Sequence, residues 1–137
     1  MKLWEGTDML SILILSHSPD VAKGVKDICL QMAPENVIIE AIGGTKEGKL
    51  GIDAERVVLT LKELIKKSDG VIILGDIGST ILAAKNAIQM CDNPKKVRLV
   101  DSPLVEGSIV AAVEAYLGSS LEEVAKKAEE VKFASKL

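Results

Sequence analysis

Residues 10–20 read LSILILSHSPD, and this stretch decides the fold. Its first six residues are short, branched and largely apolar on both faces, which is typical of a strand buried in a parallel sheet. Ser18, Pro19 and Asp20 then indicate a helix start. The serine offers a capping hydroxyl, the proline lacks an N–H where none is needed, and the helix dipole favours the carboxylate. The stretch therefore predicts a strand that runs directly into a helix.

The same alternation of strand and helix patterns continues along the chain. Further strands are predicted at residues 37–42, 71–74 and 97–100, and further helices at 54–67, 80–90, 105–117 and 121–133. Alternation of this kind gives a mostly parallel sheet with helices on both faces. The predicted fold is α/β, a single doubly wound three-layer domain over residues 1–137. Residues 1–9 are interpreted as a loose leader, with translation starting at Met9 or Trp4 packing on the domain as hypotheses.

Composition and charge exclude several classes of protein. The chain has 47% apolar and 27% charged residues, as globular domains do. Its 17 basic and 20 acidic residues are scattered and give a net charge of -3. The aromatic residues are Trp4, Tyr116 and Phe133. Neither a surface that follows nucleic acid phosphates nor a base-stacking platform is therefore expected.

The sequence also argues against a membrane span and against a metal site. The longest near-apolar run, residues 9–15, is shorter than the ~20 residues that cross a bilayer, and its flanks do not resemble a signal peptide. Cys29 and Cys91 are isolated, so neither a zinc site nor a disulfide framework is expected. Both are interpreted as small buried residues in a reducing compartment. We expect a cytoplasmic protein without metal or cofactor.

Polar residues follow each predicted strand at one edge of the sheet. Ligands of open α/β sheets bind outside the carboxyl ends of the strands. The segments found there are Ser16-His17-Ser18, Gly43-Gly44-Thr45, residues 75–80 (GDIGST) and Asp101-Ser102-Pro103. We expect all four loops to open on the same edge. The glycine-rich stretch 43–51 is either a functional loop or a surface turn.

His17, the chain's one histidine, is the candidate nucleophile. Asp76 ends the third strand, which in a doubly wound sheet commonly lies beside the first. Its carboxylate could then accept a hydrogen bond from one ring nitrogen and leave the other as a nucleophile. Gly78, Ser79 and Thr80 begin a helix whose amides and dipole favour an anion. The pattern predicts a phosphoryl group on His17, and a simple N-cap role is the alternative for Ser79.

Other functions known for this architecture fit the sequence less well. A response-regulator receiver needs acidic residues after the first strand, and this chain has Ser-His-Ser there. A dinucleotide site needs G-x-G-x-x-G at that position, but the nearby glycine, Gly24, lies inside the predicted helix. A flavodoxin-type site needs aromatic residues to sandwich the ring, and these are scarce. A regulatory module in which His17 and Asp76 form an ordinary hydrogen bond is the rival of a different class.

Four segments carry a resemblance to a known family. They are residues 12–18 (ILILSHS), 51–53 (GID), 74–79 (LGDIGS) and 101–107 (DSPLVEG). Together they resemble the phosphotransfer subunit of phosphoenolpyruvate-dependent dihydroxyacetone kinase, which has the fold of the mannose-family enzyme IIA of the bacterial phosphotransferase system. The resemblance covers about residues 10–118. Mannose-type sugar transporters usually carry Asp, a double glycine, Ser and Pro in the third-strand block, so Asp76-Ile-Gly-Ser79 favours the kinase branch. The enzyme IIA component of a sugar transporter is the alternative.

The resemblance implies a role for each partner and site residue. His17 would accept a phosphoryl group from the phosphocarrier HPr, and Asp76 would orient the histidine. The group would pass to ADP on a separate nucleotide-binding subunit, which phosphorylates dihydroxyacetone held by a third subunit. The resemblance also implies a homodimer and the activity of a phosphoenolpyruvate-glycerone phosphotransferase. Ile52 replaces the family's usual hydroxyl residue, so a hydroxyl role near the phosphate is not expected there.

Overall fold

The structure is a computed structural model that describes residues 9–137. The predicted leader lies outside the described residues except for Met9. The carbonyl oxygen of Met9 accepts a hydrogen bond from the Asp69 amide at 2.8 Å. A translation start at Met9 and packing through Trp4 stay predictions.

The strand and the helix predicted from residues 10–20 are both present. Strand β1 is Leu10–Ser16 and helix α1 is Pro19–Met32. The Ser18 hydroxyl caps α1 by accepting a hydrogen bond from the Val21 amide at 3.3 Å. The turn from strand to helix is therefore built by the residues that indicated it.

The remaining elements alternate as predicted. The strands are β2 (Val37–Gly43), β3 (Gly70–Gly75) and β4 (Val97–Leu99). The helices are α2 (Ala54–Lys67), α3 (Gly78–Met90), α4 (Leu104–Tyr116) and α5 (Leu121–Glu130), with short 3-10 turns at Pro94–Lys96 and Val131–Phe133. The last helix thus ends at Glu130 rather than at the predicted Phe133, because its final turn tightens into a 3-10 turn.

The four strands of the described chain form one parallel sheet in the order β2-β1-β3-β4. Ser16 pairs with Gly43 of β2, and Leu15 pairs with Gly75 of β3. This register brings the carboxyl ends of three strands to the same level. The prediction that the first and third strands are neighbours is confirmed.

Alternate residues of β1 pack against helices on opposite faces of the sheet. Ile12 and Ile14 belong to a core cluster that includes residues of α1, α4 and α5. Leu13 and Leu15 belong to a second cluster that includes residues of α2 and α3. These four side chains are fully buried, and burial of each stabilises the fold by roughly 1.5–3 kcal/mol. The three-layer, doubly wound fold is confirmed, and His17 directly follows the fully buried strand β1.

The two cysteines differ in environment. Cys29 is fully buried, and burial raises the pKa of its thiol to about 11. Cys91 is half-buried, and its thiol donates a hydrogen bond to the Ile88 carbonyl at 3.1 Å. The prediction of a buried thiol is therefore confirmed for Cys29 and only partly met for Cys91.

Over residues 9–137, none of the helices has both the length and the apolar character that a bilayer span requires.

Candidate active site

His17 follows β1 directly, and its backbone is bound on two sides. Its carbonyl oxygen accepts a hydrogen bond from the Gly51 amide at 2.7 Å. Its own amide points at the carboxylate of Asp76, with both oxygens at 3.2 Å. The residue as a whole is half-buried. The peptide is thus fixed while the imidazole reaches the surface at the edge of the sheet.

The Asp76 carboxylate accepts hydrogen bonds from several further donors. Its Oδ2 accepts from the Ser16 hydroxyl at 2.6 Å. Its Oδ1 accepts from the Ile77 amide at 2.8 Å and from the Thr80 hydroxyl at 3.3 Å. With the amide of His17, these contacts use most of the four lone-pair positions of a carboxylate. Asp76 therefore binds the backbone beneath His17.

This arrangement corrects the expected pairing of Asp76 with the imidazole. The carboxylate accepts hydrogen bonds from the Ser16 hydroxyl and from backbone amides, and the imidazole ring faces Ser79 instead. The Nδ1 atom of His17 lies 3.5 Å from the Ser79 hydroxyl, which makes that contact a weak one. A proton on Nδ1 would face Ser79 and leave the Nε2 lone pair available to a reactant.

Its surroundings lower the pKa of the Asp76 carboxyl. Partial burial acts in the opposite direction and is the largest single effect, but the hydrogen bonds from Ser16, from the His17 amide and from the Ile77 amide together outweigh it. A carboxylate that accepts such donors is stabilised in its charged form. Asp76 is therefore an anion at neutral pH.

The lowered pKa makes the stability of the fold depend on pH in acid. A carboxyl group whose pKa is lower in the folded state than in the unfolded state stabilises the fold above the unfolded pKa, and this contribution is lost as the pH falls through the folded pKa. We expect the free energy of unfolding of the wild type to fall more than that of Asp76→Asn between pH 7 and about pH 3. Urea unfolding at several pH values measures both. The other carboxyl groups are common to both proteins, so equal slopes would contradict the prediction.

The N-terminus of α3 lies beside His17 without a side-chain cap. The N-cap residue is Ile77, whereas α1 and α2 are capped by the side chains of Ser18 and Asp53. Amides in the first turn of a helix have no partner within the helix, and the dipole makes this end positive. A Cβ atom added at Gly78 would meet nothing within 4 Å, so the space in front of it is open. An anion can approach the helix end here.

Ser79 and Thr80 have different positions in this helix end. Ser79 is exposed and is the second residue of the helix. It is therefore not the N-cap, which was the alternative role predicted for it. Thr80 is buried, and its hydroxyl donates to the Ile77 carbonyl at 2.8 Å and reaches Asp76. Its amide also donates to the Ile77 carbonyl, at 3.0 Å. These donors are thus engaged inside the fold, where they support Asp76, and direct binding of phosphate by Thr80 stays a prediction.

The glycine-rich loop after β2 supports His17 from the other side. Its ends are joined by a bridge between Gly44 and Ile52. Gly51 has a φ of +138°, a conformation that favours glycine, and from this position its amide reaches the His17 carbonyl. Ile52 packs against the core cluster of α2 and α3, and Asp53 caps α2 by accepting from the Arg56 amide at 3.2 Å. Of the two interpretations of this loop, the contact to His17 favours the functional one.

The loop after β4 directs its polar groups away from His17. The Ser102 hydroxyl donates to the Ala128 carbonyl at 2.6 Å, and Lys132 donates to the Asp101 carboxylate at 3.1 Å. Both contacts join this loop to the C-terminal helix and the turn after it.

In the part of the chain that the structure describes, no group of three or more His, Cys, Asp or Glu side chains is placed to hold a metal ion.

One residue of the site was missed by the sequence analysis. Ser16 was noted only as part of the loop after the first strand, yet its buried hydroxyl makes the shortest of the hydrogen bonds that Asp76 accepts. The available signal was a polar residue at the end of an otherwise apolar strand.

Comparisons with known proteins identify the relatives of this chain. Residues 11–125 match the family model described as "PTS system fructose IIA component". The "PEP-dependent dihydroxyacetone kinase 2, phosphoryl donor subunit DhaM" of Listeria innocua is 34% identical over 118 residues, which are 85% of this chain and 94% of the relative.

Two crystal structures extend the comparison. A protein of unknown function is 33% identical and superposes with a TM-score of 0.84 over 93% of this chain and 97% of its own. The phosphotransferase system component EIIA from Streptococcus agalactiae is 15% identical, with a TM-score of 0.67 over 91% of this chain and 93% of its own, which shows a common fold. The resemblance found in the sequence is confirmed. The chain belongs to the mannose-type enzyme IIA family of phosphotransferase system components.

Proposed function

We propose that this chain is a phosphohistidine carrier, the phosphoryl donor subunit of a phosphoenolpyruvate-dependent dihydroxyacetone kinase, and that His17 carries the phosphoryl group. The observation that carries the proposal is the placement of His17. Its backbone is fixed by Gly51 and Asp76, and its ring lies at the surface beside the uncapped N-terminus of α3. The similarity to the Listeria innocua subunit, which is named as a phosphoryl donor of dihydroxyacetone kinase, supports the assignment to the kinase.

The ring geometry favours Nε2 as the attacking atom. With its proton on Nδ1 toward Ser79, the neutral imidazole offers the Nε2 lone pair to the phosphorus of the donor. The new N–P bond forms as the N–P bond of the donor phosphohistidine breaks, and the donor ring, which is protonated on its other nitrogen, leaves as neutral imidazole with the electron pair of that bond. The phosphorylated ring keeps its Nδ1 proton, so the transfer needs no other base.

The protein's part in this transfer is to position the ring and to stabilise charge. Phosphoryl transfer through a loose transition state depends mainly on in-line placement and on donors for the phosphoryl oxygens. The amides of Gly78 and Ser79 and the positive end of α3 are the donors available beside His17. Hydrogen bonds from the Ser16 hydroxyl and the Ile77 amide stabilise the negative charge of Asp76, which limits its repulsion of the incoming phosphoryl group.

The surroundings of His17 suit a protein partner. Leu50 precedes the glycine that binds the His17 carbonyl, and Ile77 follows Asp76; the two are 67% and 49% exposed. Apolar groups beside an exposed nucleophile favour contact with a macromolecule. The proposed donor is HPr, and the proposed acceptor is ADP on the nucleotide-binding subunit of the kinase. Both must reach the same nitrogen, so they bind in turn.

Two further points of the proposal are its location and its assembly. A reducing cytoplasm is supported by the cysteines, which are free thiols. A homodimer is supported by the family resemblance, and sedimentation equilibrium checks it.

Reconstitution tests the proposed function. The chain is mixed with phosphoenolpyruvate, enzyme I and HPr, and then with the ADP-loaded nucleotide-binding subunit and the dihydroxyacetone-binding subunit. We expect dihydroxyacetone phosphate to form only when the chain is present. A chain that is phosphorylated on His17 but passes its phosphoryl group to an enzyme IIB of a mannose-type transporter, with no dihydroxyacetone phosphate formed, would favour the sugar transporter instead.

A further inference from the structure

The hydroxyl of Ser16 lies at the centre of the contacts beneath His17. Ser16 is the last residue of β1 and is fully buried. Its hydroxyl donates to Asp76 Oδ2 at 2.6 Å and accepts from the Ser18 amide at 3.0 Å. A buried hydroxyl that both donates and accepts a hydrogen bond is held in one orientation.

These two bonds connect the amides on both sides of the His17 side chain. The His17 amide binds Asp76 directly, and the Ser18 amide binds Asp76 through the Ser16 hydroxyl. Both peptide groups that flank the His17 Cα atom are thus tied to one carboxylate. Hydrogen bonds in such a chain polarise and strengthen one another.

We propose that Ser16 is a positioning residue for phosphoryl transfer, because its hydroxyl fixes the Asp76 carboxylate under the His17 backbone and so determines where Nε2 lies. This inference rests on the proposed function of His17. In support, the bond from Ser16 is foremost among the hydrogen bonds that lower the pKa of Asp76. Without it the carboxylate loses a strong donor, and the Ser18 amide loses its acceptor.

A chemically matched serine lies at the opposite end of the same strand. Ser11 is also fully buried, and its hydroxyl donates to the Ser68 hydroxyl at 2.8 Å. Removing it deletes a buried hydroxyl from β1 without touching the contacts of His17. Ser11→Ala therefore controls for a purely structural loss.

The test compares Ser16→Ala, Ser16→Thr and Ser11→Ala in phosphoryl transfer from phosphorylated HPr. Rates by rapid quench at several HPr concentrations give kcat and KM, and thermal unfolding is measured in parallel. We expect Ser16→Ala to lower kcat about 10-fold, because small misplacements of a reacting atom are costly. KM should stay within about twofold, since the surface that binds HPr is unchanged. Ser16→Thr should recover most of the rate, and Ser11→Ala should keep the wild-type kcat.

Three results would overturn the inference. They are a wild-type kcat in Ser16→Ala, a loss confined to KM, and an equal loss of kcat in Ser11→Ala.

Amide hydrogen exchange in the unphosphorylated protein separates this inference from the function on which it rests. Wild-type protein that HPr fails to phosphorylate would refute the proposed function. The exchange rates of the His17 and Ser18 amides would then test whether Ser16 holds the backbone on both sides of His17 in place. Faster exchange of both amides in Ser16→Ala than in the wild type and in Ser11→Ala supports the inference, whereas unchanged exchange overturns it.

Discussion

His17→Ala is expected to abolish phosphorylation of the chain while leaving its fold intact. The substitution removes the imidazole that forms the phosphoramidate, and His17 is the one histidine of the sequence. His17 follows the apolar residues of β1 and belongs to neither core cluster, so the loss of its side chain leaves both clusters unchanged. Labelling from radioactive phosphoenolpyruvate with enzyme I and HPr measures the first effect, and circular dichroism with thermal unfolding measures the second.

A substitution on α1 away from the ring provides the control. Lys23 has an exposed side chain that pairs with Asp27 one turn further along the helix. Lys23→Ala should label like the wild type, because surface pairs of this kind contribute little to stability. Undiminished labelling of His17→Ala would place the phosphoryl acceptor on another residue.

Asp76→Asn is expected to slow phosphoryl transfer by about 100-fold, because a misplacement near 1 Å can have that effect. The new amide nitrogen is a donor and would face groups that are themselves donors, namely the Ser16 hydroxyl and the His17 and Ile77 amides. The His17 peptide then loses its acceptor and the ring loses its fixed position. Single-turnover transfer from phosphorylated HPr measures the rate, and thermal unfolding checks the fold.

Asp53→Asn is the matched control for Asp76→Asn. Asp53 caps α2 next to the glycine-rich loop, and asparagine caps a helix about as well as aspartate does. This variant should transfer at the wild-type rate. Wild-type transfer in Asp76→Asn would show that Asp76 is only structural. A change of imidazole tautomer in that variant, measured by 15N NMR, would instead favour the direct carboxylate–imidazole pairing that the sequence suggested.

The sequence was sufficient for the fold and for the neighbourhood of His17. The apolar run of β1 and the Ser18-Pro19 helix start show periodicity and capping that depend on nearby residues only. The general order of strands in doubly wound sheets then placed Asp76 near His17. These predictions succeeded because they required topology and no side-chain rotamer.

The errors in the site come from boundaries and from competition between donors. The helical pattern was assigned to residues 80–90, whereas the prediction of the anion site began the helix at Gly78, and α3 does begin at Gly78. Thr80 is the third residue of this helix and faces the core, which the start at Gly78 did not reveal. The predicted first strand ended one residue early, so Ser16 was not recognised as a buried strand residue. The Asp76 carboxylate had the ring and several backbone amides within reach, and a sequence pattern does not rank such donors.

The contact between Gly51 and His17 was also beyond the sequence pattern. It joins residues of two different loops, and it depends on the positive φ of Gly51 and on the bridge between Gly44 and Ile52. The glycines indicated an unusual loop, but its direction follows from tertiary packing.

Combined 31P and 15N NMR of the chain after phosphorylation by HPr measures the central claim most directly. We predict one phosphoramidate signal, with the phosphorus coupled to Nε2 of His17 and the proton retained on Nδ1. A phosphoryl group on Nδ1 or on a hydroxyl, or a chain that stays unmodified in the presence of active enzyme I and HPr, would contradict the role proposed for His17.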